Sequence, residues 1–328
     1  MAESLINSIA RLRVIEKRLL TKETVARMAQ AASYEESLRI LRESGYGAGA
    51  AEEGDETEAL IAAQLSETYA LMAELMPERN AFVTDVFRMR HDITNIKLFY
   101  KLRVIGEPLD SVKPDIGGIY PAEELRAAVK KGDYSMLPKR ISDALEELDV
   151  ITYRSVDPQQ ISCNIDAAYS EYALSLRNAF IKEYFSALAD FTNVIAVIRN
   201  MPKERFLPGG EYTEAELENI RGLIADSPER ALAAIKSPLE TSDIKEAVKA
   251  GFAEYLRTGS PAAVEKARDE YLISLASRNR SDISSVAPIV GYMLAREREA
   301  EVVRLILTAK RSGIPMSAVD ERSLKLYG

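Results

Sequence analysis

Two residues side by side, His91-Asp92, form the imidazole and carboxylate pair with which some helical hydrolases hold divalent metals for water activation. A site of that kind draws further imidazoles from other helices, and His91 is the only histidine in the chain, so the ligand set cannot be completed. Asp92, Asn95, Asp190 and Asn193 could act as paired polar groups for proton transfer, since carboxylates buried together acquire shifted pKa values. Short polar side chains at equivalent places on repeated helices more often cap a helix or bond backbone where helices meet, and that reading is preferred. Cys163 is the only cysteine, which excludes an intramolecular disulfide and a thiolate cluster and leaves His91 as its sole possible imidazole partner; a buried, inert thiol is expected. Gly45, Gly47 and Gly49 have the spacing of a phosphate loop, but they follow a helical pattern and lack the Lys-Ser/Thr ending, so a helix C-cap and turn is expected. Arg296, Glu297, Arg298, Glu299 and Glu301 read as a solvated face with helix-spaced ion pairs. No catalytic, cofactor-binding or metal-binding set emerges.

The same residues mark a repeat. Arg79-Asn80-Ala-Phe recurs as Arg177-Asn178-Ala-Phe, and Asp92-x-Thr-Asn95 recurs as Asp190-x-Thr-Asn193, both 98 residues later and without a gap. A third, more worn copy aligns Glu299 with Asp92, carries Arg304 further along, and has Arg278-Asn279 out of register. Apolar columns persist across the copies: Ile93, Phe191, Ala300; Ile96, Val194, Val303; Phe99, Val197, Ile306; Tyr100, Ile198, Leu307. Their spacing places each set on one helical face, so the repeated element is a helix with one buried stripe. Thr21, Pro121 and Thr213 each open a further helical pattern, Thr213 with Glu216 as a capping box. Spacings near 100 residues are too long for solenoid repeats and predict small helical domains.

Helix signals dominate the remainder. Ser33 with Glu36 caps a run over 34–43 that Gly45 ends, and Asp157-Pro158, Ser227-Pro228, Ser237-Pro238 and Ser260-Pro261 are N-cap and first-turn pairs. Long helical periods run from Leu60 to Leu75 and from Ile161 to Leu176. The expected class is all-α. Breaks at Gly106 to Pro121 and Met201 to Gly210 divide the chain into three expected helical domains, 1–113, 114–206 and 207–328.

Bulk properties narrow the function. An apolar share of 47% supports folded cores, and a net charge of −8 with interleaved signs offers no basic surface for nucleic acid. The longest apolar runs fall short of the roughly 20 residues that cross a bilayer. The start of the chain, with Arg11, Arg13, Lys17 and Arg18, lacks the apolar core of a signal peptide, so a cytoplasmic location is expected.

Several segments together are similar to the C subunit of the archaeal and bacterial V-type (A-type) ATP synthases, which is itself similar to the d subunit of the eukaryotic vacuolar proton pump. They are Arg11-Leu-Arg13 with Leu19-Leu20, the run Tyr34 to Tyr46 with its Gly-Tyr end, Asp92-Ile-Thr-Asn-Ile-Lys97, and Pro288 to Lys310 with Glu297-Arg298-Glu299 and Arg304. The resemblance implies three similar helical domains set around a pseudo-threefold axis as a funnel. It implies a non-catalytic central-stalk subunit, without cofactor, seated as one copy on the cytoplasmic end of the membrane rotor ring of proteolipid subunits. There it would receive the foot of the central shaft and carry torque for ATP-linked proton or sodium transport. The alternatives are a soluble helical scaffold that binds peptides or proteins, and an all-α metal-dependent hydrolase.

Overall fold

The computed structural model describes residues 5–50, 55–152, 157–235, 242–316 and 326. In chain order the helices are α1 (Leu5–Ile15), α2 (Lys22–Gln30), α3 (Tyr34–Glu43), α4 (Glu56–Leu75), α5 (Ala81–Ile105), α6 (Ala122–Lys131), α7 (Lys139–Thr152), α8 (Pro158–Ser175), α9 (Ala179–Ile198), α10 (Glu214–Asp226), α11 (Pro228–Ala234), α12 (Asp243–Thr258), α13 (Ala262–Arg278) and α14 (Ala287–Arg311), with no strand among the described residues. The chain is all-α, as expected. Its helix starts follow local chemistry: the Ser33 hydroxyl accepts the Glu36 N–H to open α3, Asp157 with Pro158 opens α8, and Thr213 with Glu216 completes the capping box of α10. Ser227 stands before α11 without a side-chain cap bond, and Ser237-Pro238 lies outside the described residues. Gly45, Gly47 and Gly49 all have positive φ, which ends α3 in a turn rather than a phosphate loop.

The chain forms two compact units. One combines the described residues of Met1–Thr84 with those of Ile273–Gly328. Within it α14 lies chiefly along α4 and also meets α1, α2 and α3. Buried polar groups join its distant segments: the Tyr69 hydroxyl donates to Glu297 at 2.8 Å, and Arg280 reaches buried Glu16 at 3.0 Å. The Lys310 ammonium binds the carbonyl oxygens of Ala29 and Ala31 at the end of α2, where a cation also meets the helix dipole favourably. Arg304 forms two bonds with Glu58, at 2.7 and 2.9 Å.

The other unit, Asp85–Leu272, contains two cores. The first draws on α5, the Tyr134–Leu137 turn, α6, α7 and α8, with Phe99, Tyr100, Leu125 and Leu145 almost wholly buried. The second draws on α9, Tyr212 and α10 to α13, with Phe191, Ile220, Val248 and Phe252 at its centre. Phe87 of α5 packs edge-on to Tyr184 of α9 at 4.9 Å and also meets Phe180 and Phe185, so an aromatic cluster connects the two cores. Each core begins with its long Asp-bearing helix and continues through the helices that follow. Residue 113 therefore falls between members of the first core and residue 206 between members of the second, because the Gly- and Pro-rich loops join helices that share apolar contacts.

Of the repeated apolar columns, all but Ile198 are buried; Ile198, the last residue of α9, is half-buried. Leu307 belongs to this stripe and is fully enclosed on α14. Leu307→Ala should lower stability in chemical denaturation by about 2–5 kcal/mol, and a loss well under that range would mean that α14 is not a core helix.

Candidate functional site

The Asp and Asn of the repeated Asp-x-Thr-Asn motif build one kind of structure, a clamp between a long helix and the loop that leads to the next helix. Asp92 is fully buried on α5. Its carboxylate accepts the Ile119 N–H at 2.8 Å and the Tyr120 N–H at 3.3 Å. Asp190 on α9 is equally buried and accepts the Glu211 and Tyr212 N–H groups at 2.9 and 3.0 Å. One turn further on, the Asn95 amide donates to the Asp115 carbonyl and accepts the Asp115 N–H, at 3.0 and 2.7 Å. Asn193 holds Leu207 in the same way, at 2.9 and 2.7 Å. One turn before the acid, Arg88 donates to the carbonyl oxygens of Gly117 and Gly118, and Ser186 donates to that of Gly209. Helix positions i−4, i and i+3 lie on one face, so three successive side chains engage three successive parts of the loop.

Two consequences follow from the short reach of aspartate. The loop backbone must come close, and it does so at glycine: a Cβ on Gly118 would lie 2.0 Å from Asp92 Oδ1, and one on Gly210 would lie 2.1 Å from Asp190 Oδ1. The second consequence is electrostatic. Burial raises the Asp92 carboxyl above the usual aspartate range against the opposing pull of the Ile119 and Tyr120 N–H groups. Burial likewise raises Asp190, to about 6, against the Glu211 and Tyr212 N–H groups.

The third copy keeps only the acid. Glu299 is buried on α14 and accepts the Leu20 N–H at 2.6 Å, so a residue near the start of the chain occupies the place of Tyr120 and Tyr212. Thr21 then caps α2, as Thr213 caps α10. Ala295 and Val302 stand where the other copies have Arg88 or Ser186 and Asn95 or Asn193. In their stead Arg296, also buried, donates to Glu299 at 2.7 Å and to the Tyr292 hydroxyl at 2.9 Å. Arg296, Glu297 and Glu299 are thus interior groups, which corrects the expectation of a solvated face for these three: α14 packs against several helices, Arg296 pairs with Glu299 inside, and Glu297 takes the Tyr69 hydroxyl. Arg298 and exposed Glu301 keep the expected helix-spaced ion pair at 2.8 Å.

The other sequence candidates stand apart from any common centre. Arg79 and Arg177 are exposed. Asn80 closes a 3-10 turn, its N–H bonded to the Pro77 carbonyl, whereas Asn178 caps α9 by accepting the Ile181 N–H at 3.1 Å. His91 Nδ1 is 2.8 Å from an Asp115 carboxylate oxygen, beside the Asn95 contact. Cys163 is half-buried rather than buried, and partial burial raises its thiol pKa. Among the described residues no three His, Cys, Asp or Glu side chains gather into a metal-sized group.

The loop half of the clamp is hidden from a single-register comparison of the repeats. Gly117-Gly-Ile-Tyr120 and Gly209-Gly-Glu-Tyr212 recur at an offset of 92, while the helices recur at 98. The pair of Gly-Gly-x-Tyr motifs is the signal by which the sequence could have disclosed it.

A family model described as ATP synthase (C/AC39) subunit matches residues 8–322. The chain is similar to the C subunit of the A-type ATP synthase of Methanocaldococcus jannaschii, 22% identical over 92% of this chain and 81% of the relative. It is similar to the C subunit of the V-type sodium ATPase of Enterococcus hirae, 23% identical over 98% of both chains. The C subunit of the A-type ATP synthase of Methanobrevibacter smithii is 25% identical over 79% of this chain and 72% of its own length.

Gly210→Ala should destabilise the protein by about 1–3 kcal/mol through the clash with Asp190. The same change made in an Asp190→Ala background should cost at least about 1 kcal/mol less; additive effects would place the clash elsewhere. Asp190 also has a pH signature. Its native pKa lies near 6, above the unfolded value of 3.8, so its contribution is fully present below 3.8 and is lost as pH rises through about 6. Between pH 7 and 5 the stability of the native sequence relative to Asp190→Asn should shift by about 1–1.5 kcal/mol in favour of the native sequence. A pH-independent difference in paired urea titrations would contradict a buried, ionisable Asp190.

Proposed function

Because the chain belongs to the ATP synthase (C/AC39) subunit family, whose members are accessory, non-catalytic subunits of the complex, we propose that it couples the central shaft of a rotary ATPase to the membrane rotor ring and transmits torque between them. The observation that carries this reading is the family match over residues 8–322, together with relatives named as the C subunits of A-type and V-type machines across most of their lengths. In this role the chain sits as one copy on the cytoplasmic end of the ring of proteolipid subunits, as a peripheral component. No described helix is long and apolar enough to cross a membrane, and in this reading protein contacts hold the chain in place.

The architecture suits a mechanical part. Close-packed helices transmit strain, and a coupler must not lose angular displacement in its own loops. The clamps at Asp92, Asp190 and Glu299 each tie a long helix to the opening of another, which limits play at the junctions. We further propose that the chain is built of three modules arranged as a funnel about a pseudo-threefold axis, with Arg79, Asn80, Asp92, Asn95, Arg177, Asn178, Asp190, Asn193, Glu299 and Arg304 as the marks of the repeated unit. The cores support a division that assigns α5 to α8 to one module, α9 to α13 to the next, and α14 with α1 to α4 to the third. The boundaries at 113 and 206 then lie inside modules, at the clamped loops.

Affinity purification of the chain from native membranes in mild detergent, with mass spectrometric identification of co-purifying subunits, tests the role. Proteolipid ring subunits and central-shaft subunits are expected together. Recovery of the chain without ring subunits under conditions that keep the rest of the complex intact would overturn it.

A further inference from the structure

The two cores of the Asp85–Leu272 unit differ by one helix, and the difference leaves a surface uncovered. In the second core α11 stands between α10 and α12 and contacts both. Its end covers the clamped tyrosine: Tyr212 is buried, its hydroxyl donates to the Ile235 carbonyl, and the Lys245 ammonium lies 5.0 Å from its ring. In the first core α6 and α7 are joined by a turn with no helix between them. The corresponding tyrosine, Tyr120, is held by Asp92 through its N–H but remains half-exposed.

Beside it opens a groove of about 690 Å³ lined by Tyr120, Met136, Leu137, Pro138 and Tyr172, with Lys139, Arg140, Asp143 and Ser175 as its polar members. Tyr120, Met136, Pro138 and Tyr172 are all half-exposed, so the floor is an apolar and aromatic surface open to solvent. Among the described residues, neither the Tyr120 nor the Tyr172 hydroxyl has a protein hydrogen-bond acceptor, whereas Tyr212 has one. The edge carries two cations and one carboxylate, Asp143. Lys139 and Arg140 begin α7, where the helix dipole adds positive potential, and their side chains are 89% and 58% exposed. Asp143, itself on the groove wall, pairs with Lys139, and Glu171 pairs with Arg140, but exposed pairs of this sort contribute little, and another carboxylate can replace either acid.

We propose that this groove receives a short helix from a neighbouring subunit, one with an apolar face of small and medium side chains and an acidic residue beside it. The internal template is α11, which presents Ala231, Leu232 and Ile235 to the second core and a terminal carbonyl to its tyrosine. An incoming helix seated in the same way covers the Tyr120 ring, accepts its hydroxyl proton through a main-chain carbonyl, and places a carboxylate against Lys139 and Arg140. Tyr120 hangs on the Asp92 clamp, so the partner binds a surface that is rigidly connected to α5. The proposal rests on the reading of the chain as a subunit of a rotary complex.

The test places photoreactive benzoylphenylalanine at Met136 of the full chain, assembles it in its native membranes, irradiates, purifies the complex and maps the adduct. A cross-link to a helical, Asp- or Glu-bearing segment of another subunit is expected. Combining Lys139→Glu with Arg140→Glu, both exposed and away from either core, should lower the adduct yield about tenfold, as loss of complementary charge across a small interface would. Co-purification of the ring and shaft subunits without such an adduct, or with adducts only to lipid or to another copy of this chain, would overturn the groove assignment and leave the proposed role standing. An adduct yield unchanged by the charge reversals would also overturn it. Absence of co-purification would defeat both.

Discussion

A carboxylate buried in the middle of a long helix, satisfied by main-chain N–H groups of the loop that follows, is the constraint on which the described architecture turns. Removing an aspartate from water is costly, and the raised pKa values of Asp92 and Asp190 record that cost. Charge-assisted hydrogen bonds of about 1.5–3 kcal/mol each offset it, provided that the donors are held in place. The carboxylate and the loop therefore position each other. The loop must pass over the helix at one glycine, and its next residues must turn into the following helix, as Tyr120 does before α6 and Tyr212 before α10.

Divergence among the copies shows which parts of the clamp are replaceable. Between the first and second, Arg88 gives way to Ser186, and both still donate to a carbonyl of the paired glycines. In the third, the asparagine and the donor before the acid are lost, and the acid is longer by one methylene. Glu299 then reaches the N–H of Leu20 where no Gly-Gly pair precedes it, and its second oxygen takes a guanidinium in place of a second N–H. This last contact also joins opposite ends of the chain. Leu20 and Glu299 both belong to the compact unit that joins the described residues of Met1–Thr84 with those of Ile273–Gly328, so the contact fastens its two separated segments.

Several ionisable groups among the described residues serve structure. His91 with Asp115, Arg103 with Asp149, and Glu16 with Arg280 each form hydrogen-bonded pairs that join segments far apart in sequence or fasten a loop to a helix. At the groove beside Tyr120, a copy from which one covering helix is missing exposes the surface that its sister copy buries, and a repeat protein can acquire a docking face by that omission alone.

The helical class, the caps at Ser33, Asp157 and Thr213, the buried stripes and the duplication of Asp-x-Thr-Asn were all legible in the amino-acid order, because each depends on short-range periodicity or on contacts within one turn. Family membership was likewise legible in segments at both ends of the chain. What the repeated polar residues bind became visible only in the folded chain. Their partners lie 14 to 28 residues away in the first two copies and 279 away in the third, and hydrogen bonds to backbone N–H groups leave almost no trace in side-chain identity beyond a glycine. The interior position of Arg296 and Glu299 likewise needed the fold, since a charge-rich helical stretch reads alike whether water or a compensating neighbour surrounds it, and packing is what distinguishes the two.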